Sequence, residues 1–288
     1  MRILDNMSSL NVFTQLTRTN RDIERSTLRL SSGFRINTAG DDPAGFSISV
    51  GLNWQVNSMN MANRNTLDAS SLLETADAAL QDIQNMVHRI RELAVQAAND
   101  TNVLENRLNI QDEVDALLAE IDSITQRIEF NNIRLLNGEA NDIFVQVGGR
   151  QGMTIPLNIP SFQIDNLFVD SNGDPLRTHA DPNNPNWPLT VFPNSEDASA
   201  VIEFADEAIH LISRQRSHIG ANVNRMEYTS SSLMSSVEAT SRSLSRILDT
   251  DMALEMMNLS TANILSQAGI AIMAQANQRP MQLLQLIQ

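Results

Sequence analysis

Apolar residues recur along most of this chain in alternating steps of three and four. The cleanest series is Met59, Ala62, Thr66, Ala69, Leu73, Ala76, Leu80, Ile83, Val87, Ile90, Ala94 and Ala97, and only Thr66 in it is polar. Side chains at that spacing share one face of an α-helix, and a straight helix over the span would be roughly 60 Å long. A second series runs Ile110, Val114, Leu117, Ile121, Ile124 and Ile128, between breaks near Asn99-Asp100 and Asn131-Asn132. The third is the longest: Ala198, Ile202, Ala205, Ile209, Ile212, Arg216, Ile219, Val223, Met226, Ser230, Leu233, Val237, Thr240, Leu244 and Ile247. Spacing sustained this far predicts coiled-coil seams, each stripe buried against another helix.

The two ends are patterned differently. Phe13, Leu16, Asn20, Ile23, Thr27 and Leu30 keep heptad spacing with two polar interruptions. From Met252 to Ala276 the apolar residues spread around much of the helix, as Leu254, Met257, Leu259, Ile264, Leu265, Ala268, Ile270 and Ile272 show. A helix apolar on several sides must be buried on several sides. One short partner segment cannot do that.

Proline marks the interruptions. Only Pro43 precedes residue 155 and none falls between 194 and 279, whereas Pro156, Pro160, Pro175, Pro182, Pro185, Pro188 and Pro193 crowd together. Since proline breaks helices, the chain reads as helical, then irregular, then helical again. Residues 142–147 and 153–157 are β-rich and flank Gly148-Gly149-Arg150-Gln151-Gly152, which predicts a hairpin. Residues 160–193 read as a Pro/Asn-rich outer loop with a strand at Phe162–Val169. The predicted fold is mainly α: a long coiled-coil helical bundle formed by the N- and C-terminal halves, with a small β-hairpin region and that outer loop.

Composition narrows the chemistry. Aromatic residues make up only 4%, so the core is Ala, Leu, Ile, Val and Met, which suits long helices. All twenty basic residues are arginine and there is no cysteine. Lysine Schiff-base and P-loop mechanisms are thereby excluded, as are disulfides, thiolate zinc sites and cysteine nucleophiles. A net charge of −14 argues against a nucleic-acid surface. It is unevenly shared: residues 1–40 and 251–288 together carry +2, leaving −16 on the remainder. No run approaches the length of a transmembrane helix, so membrane insertion is not expected. Met1-Arg2-Ile3-Leu4-Asp5-Asn6 offers no secretory signal, and these features alone would predict a cytoplasmic chain.

Candidate sites are few. Asp170-Ser171-Asn172-Gly173-Asp174, with Asp181 at the twelfth position, matches part of an EF-hand loop, but Pro175 stands where glycine is required. That segment reads as an Asx-turn in a surface loop. His88, His179, His210 and His218 lack zinc-pair spacing. Gly45-Phe46-Ser47-Ile48-Ser49 lacks the closing glycine of a nucleophile elbow. Asp41-Asp42, between Gly40 and Pro43, reads as a turn that caps the next helix rather than a catalytic pair. No catalytic, cofactor-binding or metal site is expected.

Four blocks carry a family resemblance. Residues 30–45, Leu-Ser-Ser-Gly-Phe-Arg-Ile-Asn-Thr-Ala-Gly-Asp-Asp-Pro-Ala-Gly, resemble the N-terminal signature of bacterial flagellins. Residues 88–99 and 129–138 are similar to a second and a third flagellin block, and residues 246–255 with 275–278 to the C-terminal one. Together they span about residues 1–155 and 195–288 in family order.

The resemblance implies a filament subunit, exported unfolded through the flagellar type III apparatus without a cleaved signal. That replaces the cytoplasmic expectation with a secreted one, in an extracellular filament or, in a spirochaete, a periplasmic one. It implies three regions: an inner coiled-coil filament core from 1–44 and 252–288, a helical shell from 45–159 and 194–251, and a short surface loop at 160–193. Expected partners are further copies in a helical homopolymer, an export chaperone, the filament cap and the hook-junction proteins. No cofactor is expected. The assembly-core residues are Phe13, Leu16, Ile23, Leu30, Leu254, Met257, Leu265, Ile272, Leu283, Leu284 and Leu286, each of which also reads as packing within one subunit. Flagellins are ligands of vertebrate innate receptors, and the contacting positions correspond here to Arg89, Leu93 and Glu113; Arg89 and Glu113 equally read as a solvated pair. The alternatives are the hook–filament junction protein of the same family and a soluble coiled-coil adaptor. The residue 88–99 block favours flagellin over the first, and two over-apolar ends argue against the second.

Overall fold

A computed structural model describes the backbone of residues 6–168 and 195–287, and the side chains of residues 6–168 and 198–278. The described chain is mainly α, as the heptads predict. It comprises α1 (Met7–Ser32), α2 (Pro43–Ala97), α3 (Leu104–Arg127), β1 (Glu129–Phe130), β2 (Ile133–Arg134), β3 (Ile143–Gln146), β4 (Thr154–Leu157), α4 (Ile164–Leu167), α5 (Ser195–Leu248) and α6 (Met252–Ile287). Two compact units result, residues 1–57 with 237–288, and residues 58–236.

In the unit of residues 58–236, all twelve members of the Met59–Ala97 series are buried, so the stripe is the core-facing side of α2. Here α5 runs antiparallel to α2. Four side-chain bonds record the direction: Asn63 with Ser230, Asp77 with Arg216, Gln84 with Ser213, and Arg91 with Asp206. Arg216, the charged member of the third series, donates to both carboxylate oxygens of Asp77 at 2.9 and 3.2 Å and to the Gln84 side-chain oxygen Oε1 at 3.0 Å. A fork–fork pair of this kind satisfies the charge at the edge of an apolar seam. From α3, Ile110, Val114, Leu118 and Ile121 complete the core, with Leu118 buried where the series had placed half-buried Leu117.

The predicted hairpin is β3–β4, in the register Val145↔Ile155, with Val145, Ile155 and Leu157 buried and Phe144 outside. A second hairpin, β1–β2, was not predicted. Asn131 and Asn132 both take positive φ (49° and 64°), which matches the two-residue loop of a tight hairpin, where the apolar periodicity marks only a helix break. The expected strand at Phe162–Val169 is instead the single turn α4, flanked by buried Phe162 and Phe168. Ile164, Leu167 and Phe168 stand at helical spacing, so one turn buries all three where a strand would split them between faces. Residues 161–168 thus belong to the core rather than to an outer loop. His179, the Asp170–Asp174 segment and Asp181 lie outside the described residues.

In the unit of the two ends, α1 pairs antiparallel with α6. Asn6 Nδ2 donates to the Ala276 carbonyl and Ser26 Oγ to Glu255, so one helix ascends as the other descends. The connection after α1 is tied to the one after α5: Arg35 N–H donates to the Leu248 carbonyl (2.6 Å) and Thr250 N–H to the Gly33 carbonyl (3.0 Å).

Candidate assembly surface

The seam between α1 and α6 alternates aliphatic positions, which are only half-buried, with small and polar ones, and its fully buried positions (Thr19, Ser26, Glu255, Ala262 and Ala276) are all small or polar. On α1 the inward positions are Ser9, Val12, Leu16, Thr19, Ile23, Ser26 and Leu30, and on α6 Glu255, Leu259, Ala262, Ser266, Gly269, Met273 and Ala276. Both lists step by three and four, the two-helix seam spacing. The expected register of α1 is therefore half right. Leu16, Ile23 and Leu30 are on the seam, half-buried within the chain, but Val12, Thr19 and Ser26 take the places assigned to Phe13, Asn20 and Thr27. Val12 and Phe13 are both apolar and both remaining choices are polar against polar, so the pattern could not decide.

What the seam leaves out is large and apolar. Phe13 is 57% exposed, and Leu254, Met257, Leu265 and Ile272 are exposed alongside Met256, Ile264 and Ile270 on α6 and Met7, Leu10 and Leu28 on α1. On α6, Leu254, Leu265 and Ile272 fall one residue before seam positions and so flank the first stripe, while Met257 and Ile264 stand on the face turned away from it. Each such side chain would contribute about 1.5–3 kcal/mol on full burial. So many exposed large apolar side chains on one helix pair mark an interaction surface. No described helix is long and apolar enough to cross a membrane. The side chains of Leu283, Leu284 and Leu286 lie outside the described residues.

The turn that joins α1 to α2 explains the block at residues 30–45. Gly33 closes α1 in the left-handed region (φ 76°), its N–H returning to the Arg29 carbonyl. Asp42 Oδ1 accepts from Gly45 N–H (3.0 Å) and caps α2, with Pro43 as the first helical residue, as the sequence reading expected of this pair. A Cβ on Gly45 would lie 2.4 Å from Asp42 Oδ2 and 2.7 Å from Ile36 Cδ1. Asp41 accepts from the N–H of Asn37 and of Thr38 and from the Thr38 hydroxyl (3.0–3.2 Å). The Thr38 backbone bond foremost, with help from its hydroxyl, Asn37 and the charge of Arg29, holds the Asp41 carboxyl below its ordinary value. These residues shape a turn and perform no chemistry.

Of the three receptor-contact candidates, two reach the surface. Arg89 donates through Nε and a terminal nitrogen to Glu113 Oε1 (2.9 and 2.8 Å) and through its other nitrogen to Glu92 (3.3 Å). Arg89 and Glu113 are both about half exposed. Leu93 is not a surface residue: at 2% exposure it belongs to the core, three residues from Ile90 and beside Ala94. His88, His210 and His218 are exposed, and among the described residues no three metal-ligating side chains converge.

Comparison with known proteins follows the same outline. Residues 3–141 match the family model of the bacterial flagellin N-terminal helical region, and residues 202–287 that of the C-terminal helical region. The chain is 37% identical to the flagellin of Bacillus subtilis over 306 aligned residues, covering all of both chains. It is 34% identical to the flagellar filament 33 kDa core protein of Treponema phagedenis, again over the full length of both. Among solved structures, one of a putative flagellar hook-associated protein from Vibrio parahaemolyticus shares the fold, with a TM-score of 0.59 at 13% identity over 73% of this chain and 100% of that one.

Proposed function

The chain belongs to the bacterial flagellin family, and on that premise we propose that it is a structural subunit, not an enzyme, that polymerises into a flagellar filament for motility. One observation supports this above the rest: the α1–α6 pair buries small and polar residues against each other and turns Phe13, Leu254, Met257, Leu265 and Ile272 outward. Only further copies of the chain would cover that surface along its length. Contacts of this head-to-tail kind do not close on themselves and so build an open helical polymer. In this reading 1–44 with 252–288 form the filament core, 45–159 with 194–251 the shell around it, and 160–193, less the core-packed residues 161–168, the outer surface.

The ends would order on docking. Because the seam only half-buries its aliphatic positions and fully buries only small and polar ones, α1 and α6 would gain too little from each other to offset their conformational entropy in a dispersed subunit. Docking supplies the missing burial. Export in unfolded form, with an export chaperone before and a filament cap and hook-junction proteins after, fits such a chain, as does an extracellular filament or, in a spirochaete, a periplasmic one. A second reading concerns the monomer: Arg89 and Glu113 form an exposed, positionally fixed pair where vertebrate innate receptors contact flagellins. Arg89→Ala and Glu113→Ala should then each weaken receptor-reporter activation by dispersed protein while leaving assembly intact.

The test of the main reading is seeded growth. Protein dissociated by heat and shown to be monomeric by light scattering, then given short filament seeds, should grow into long uniform filaments with a narrow central channel under the electron microscope. Discrete rings would indicate the hook–filament junction protein instead. Stable monomers indifferent to seeds would indicate an adaptor.

A further inference from the structure

The seam that pairs α1 with α6 is poorly marked along its length. Leu16 packs beside Gly269, where even an added Cβ would sit at an ordinary contact distance of 3.5 Å from Leu16 Cδ1. One heptad to either side on α6 stand Ala262 and Ala276, both small and both inward-facing. Size complementarity therefore does little to separate the observed register from one slipped by seven residues.

The Arg35–Leu248 and Thr250–Gly33 backbone bonds hold one end of the pair, and along the helices themselves charge separates the registers. Glu255 is the one acidic side chain buried in this seam, 8% exposed, and it accepts a 2.6 Å hydrogen bond from Ser26 Oγ with Arg29 Nη1 at 3.7 Å. We propose that Glu255 is a register-setting residue, which admits the observed α1–α6 alignment and penalises both neighbouring ones. The proposal rests on the reading above, in which this pair persists in the filament.

The consequences of slippage follow from the sequence seven residues away. A slip toward the start of α1 moves Glu255 from Ser26 and Arg29 to Thr19 and Asp22. The hydroxyl is replaced like for like, but the cation is replaced by an anion, and a buried carboxylate is left beside a like charge. A slip in the other direction carries Glu255 beyond Ser32, the last residue of α1, where neither group has a counterpart. A single buried polar residue that fixes alignment at some cost in stability is the best-attested use of such groups in paired helices.

Because the chain has no cysteine, introduced pairs report register without interference. Leu16→Cys would be combined in turn with Gly269→Cys for the observed register, and with Ala262→Cys or Ala276→Cys for the two slipped ones, and oxidised in assembled filaments. With Glu255 present, only the 16–269 link should form. In Glu255→Leu, linkage should spread to 16–262 or 16–276, with the share of 16–269 falling several-fold. Leucine adds apolar area to the seam, so a residue that served stability alone would leave the 16–269 link undiminished, and that result overturns the proposal. Should Glu255→Leu fail to enter filaments even as a minority subunit, the exchange Arg29→Glu with Glu255→Arg decides. Recovery of assembly with the 16–269 link supports the proposal, and failure to recover either one overturns it. Absence of all three links in filaments that retain Glu255 would mean that the helices are not paired there, which removes the underlying reading and the proposal together.

Discussion

Gly45 and Gly51 lie on the same helix and test opposite sides of one argument. A methyl group on Gly45 meets the capping carboxylate of Asp42 and buried Ile36 at 2.4–2.9 Å, whereas at Gly51 it meets nothing within 4 Å. Gly45→Ala should therefore cost about 1–3 kcal/mol through overpacking. Gly51→Ala should be neutral or stabilising by up to about 1 kcal/mol, since alanine is the better helix former. Thermal midpoints of the two variants, measured side by side, check the contrast. Asp41 makes a pH-dependent prediction. Its folded pKa lies below the ordinary 3.8, so the stability it contributes is present above that value and is lost as pH falls through the lowered one. Asp41→Asn should lower the midpoint at neutral pH and match the parent chain in strong acid; a constant difference across pH would refute the assignment. Much of this turn was legible beforehand, because Gly40-Asp41-Asp42-Pro43 is turn-and-cap chemistry. The need for Gly45 was not, since it arises from a contact with Ile36 nine residues away.

At the scale of elements, legibility followed how much a seam depends on apolar size. Every position of the Met59–Ala97 series is buried because Leu73, Leu80, Ile83, Val87 and Ile90 outweigh any competing face of α2. On α1 the competing faces are nearly balanced, and the choice falls to Ser26 and its bond to Glu255, 229 residues away, which no hydropathy pattern contains. The β1–β2 hairpin was missed for another reason: its strands are two residues long, and Asn131-Asn132 was the only signal. The two kinds of helix surface predict two kinds of mutant. Leu80→Ala, in the fully buried core, should cost about 2–5 kcal/mol in denaturant unfolding of the 58–236 unit. Leu265→Gln, on the outward stripe of α6, should leave that transition and the helical content unchanged and instead raise the protein concentration needed for seeded elongation. A fall in stability for Leu265→Gln comparable to that of Leu80→Ala would place its side chain inside the subunit and sink the assembly assignment.

Across the whole molecule, apolar surface and charge are partitioned in opposite directions. The outward apolar residues are densest on α1 and α6, with others such as Ile48, Val50 and Trp54 on α2, while residues 1–40 and 251–288 carry only +2 and the rest of the chain −16. Copies brought together through their ends therefore gain burial where charge is nearly balanced and repel through the remainder. Added salt screens that repulsion over about 10 Å at 0.1 M, so moderate salt should speed elongation, whereas docking through ion pairs would be slowed by it. The same partition fixes where protection against hydrogen exchange should change. In the 58–236 unit the amides of α2 and α3 sit over a core that is complete within one chain, so their exchange should be slow in dispersed protein and nearly unaltered by assembly. The amides of α1 and α6 rest on a seam whose aliphatic residues are only half-buried and should exchange quickly in dispersed protein, then slow by orders of magnitude in filaments. Exchange read by mass spectrometry on both states decides the matter. Equal protection of α1 and α6 before and after assembly would mean that the seam suffices on its own, and the outward stripe would then need another explanation.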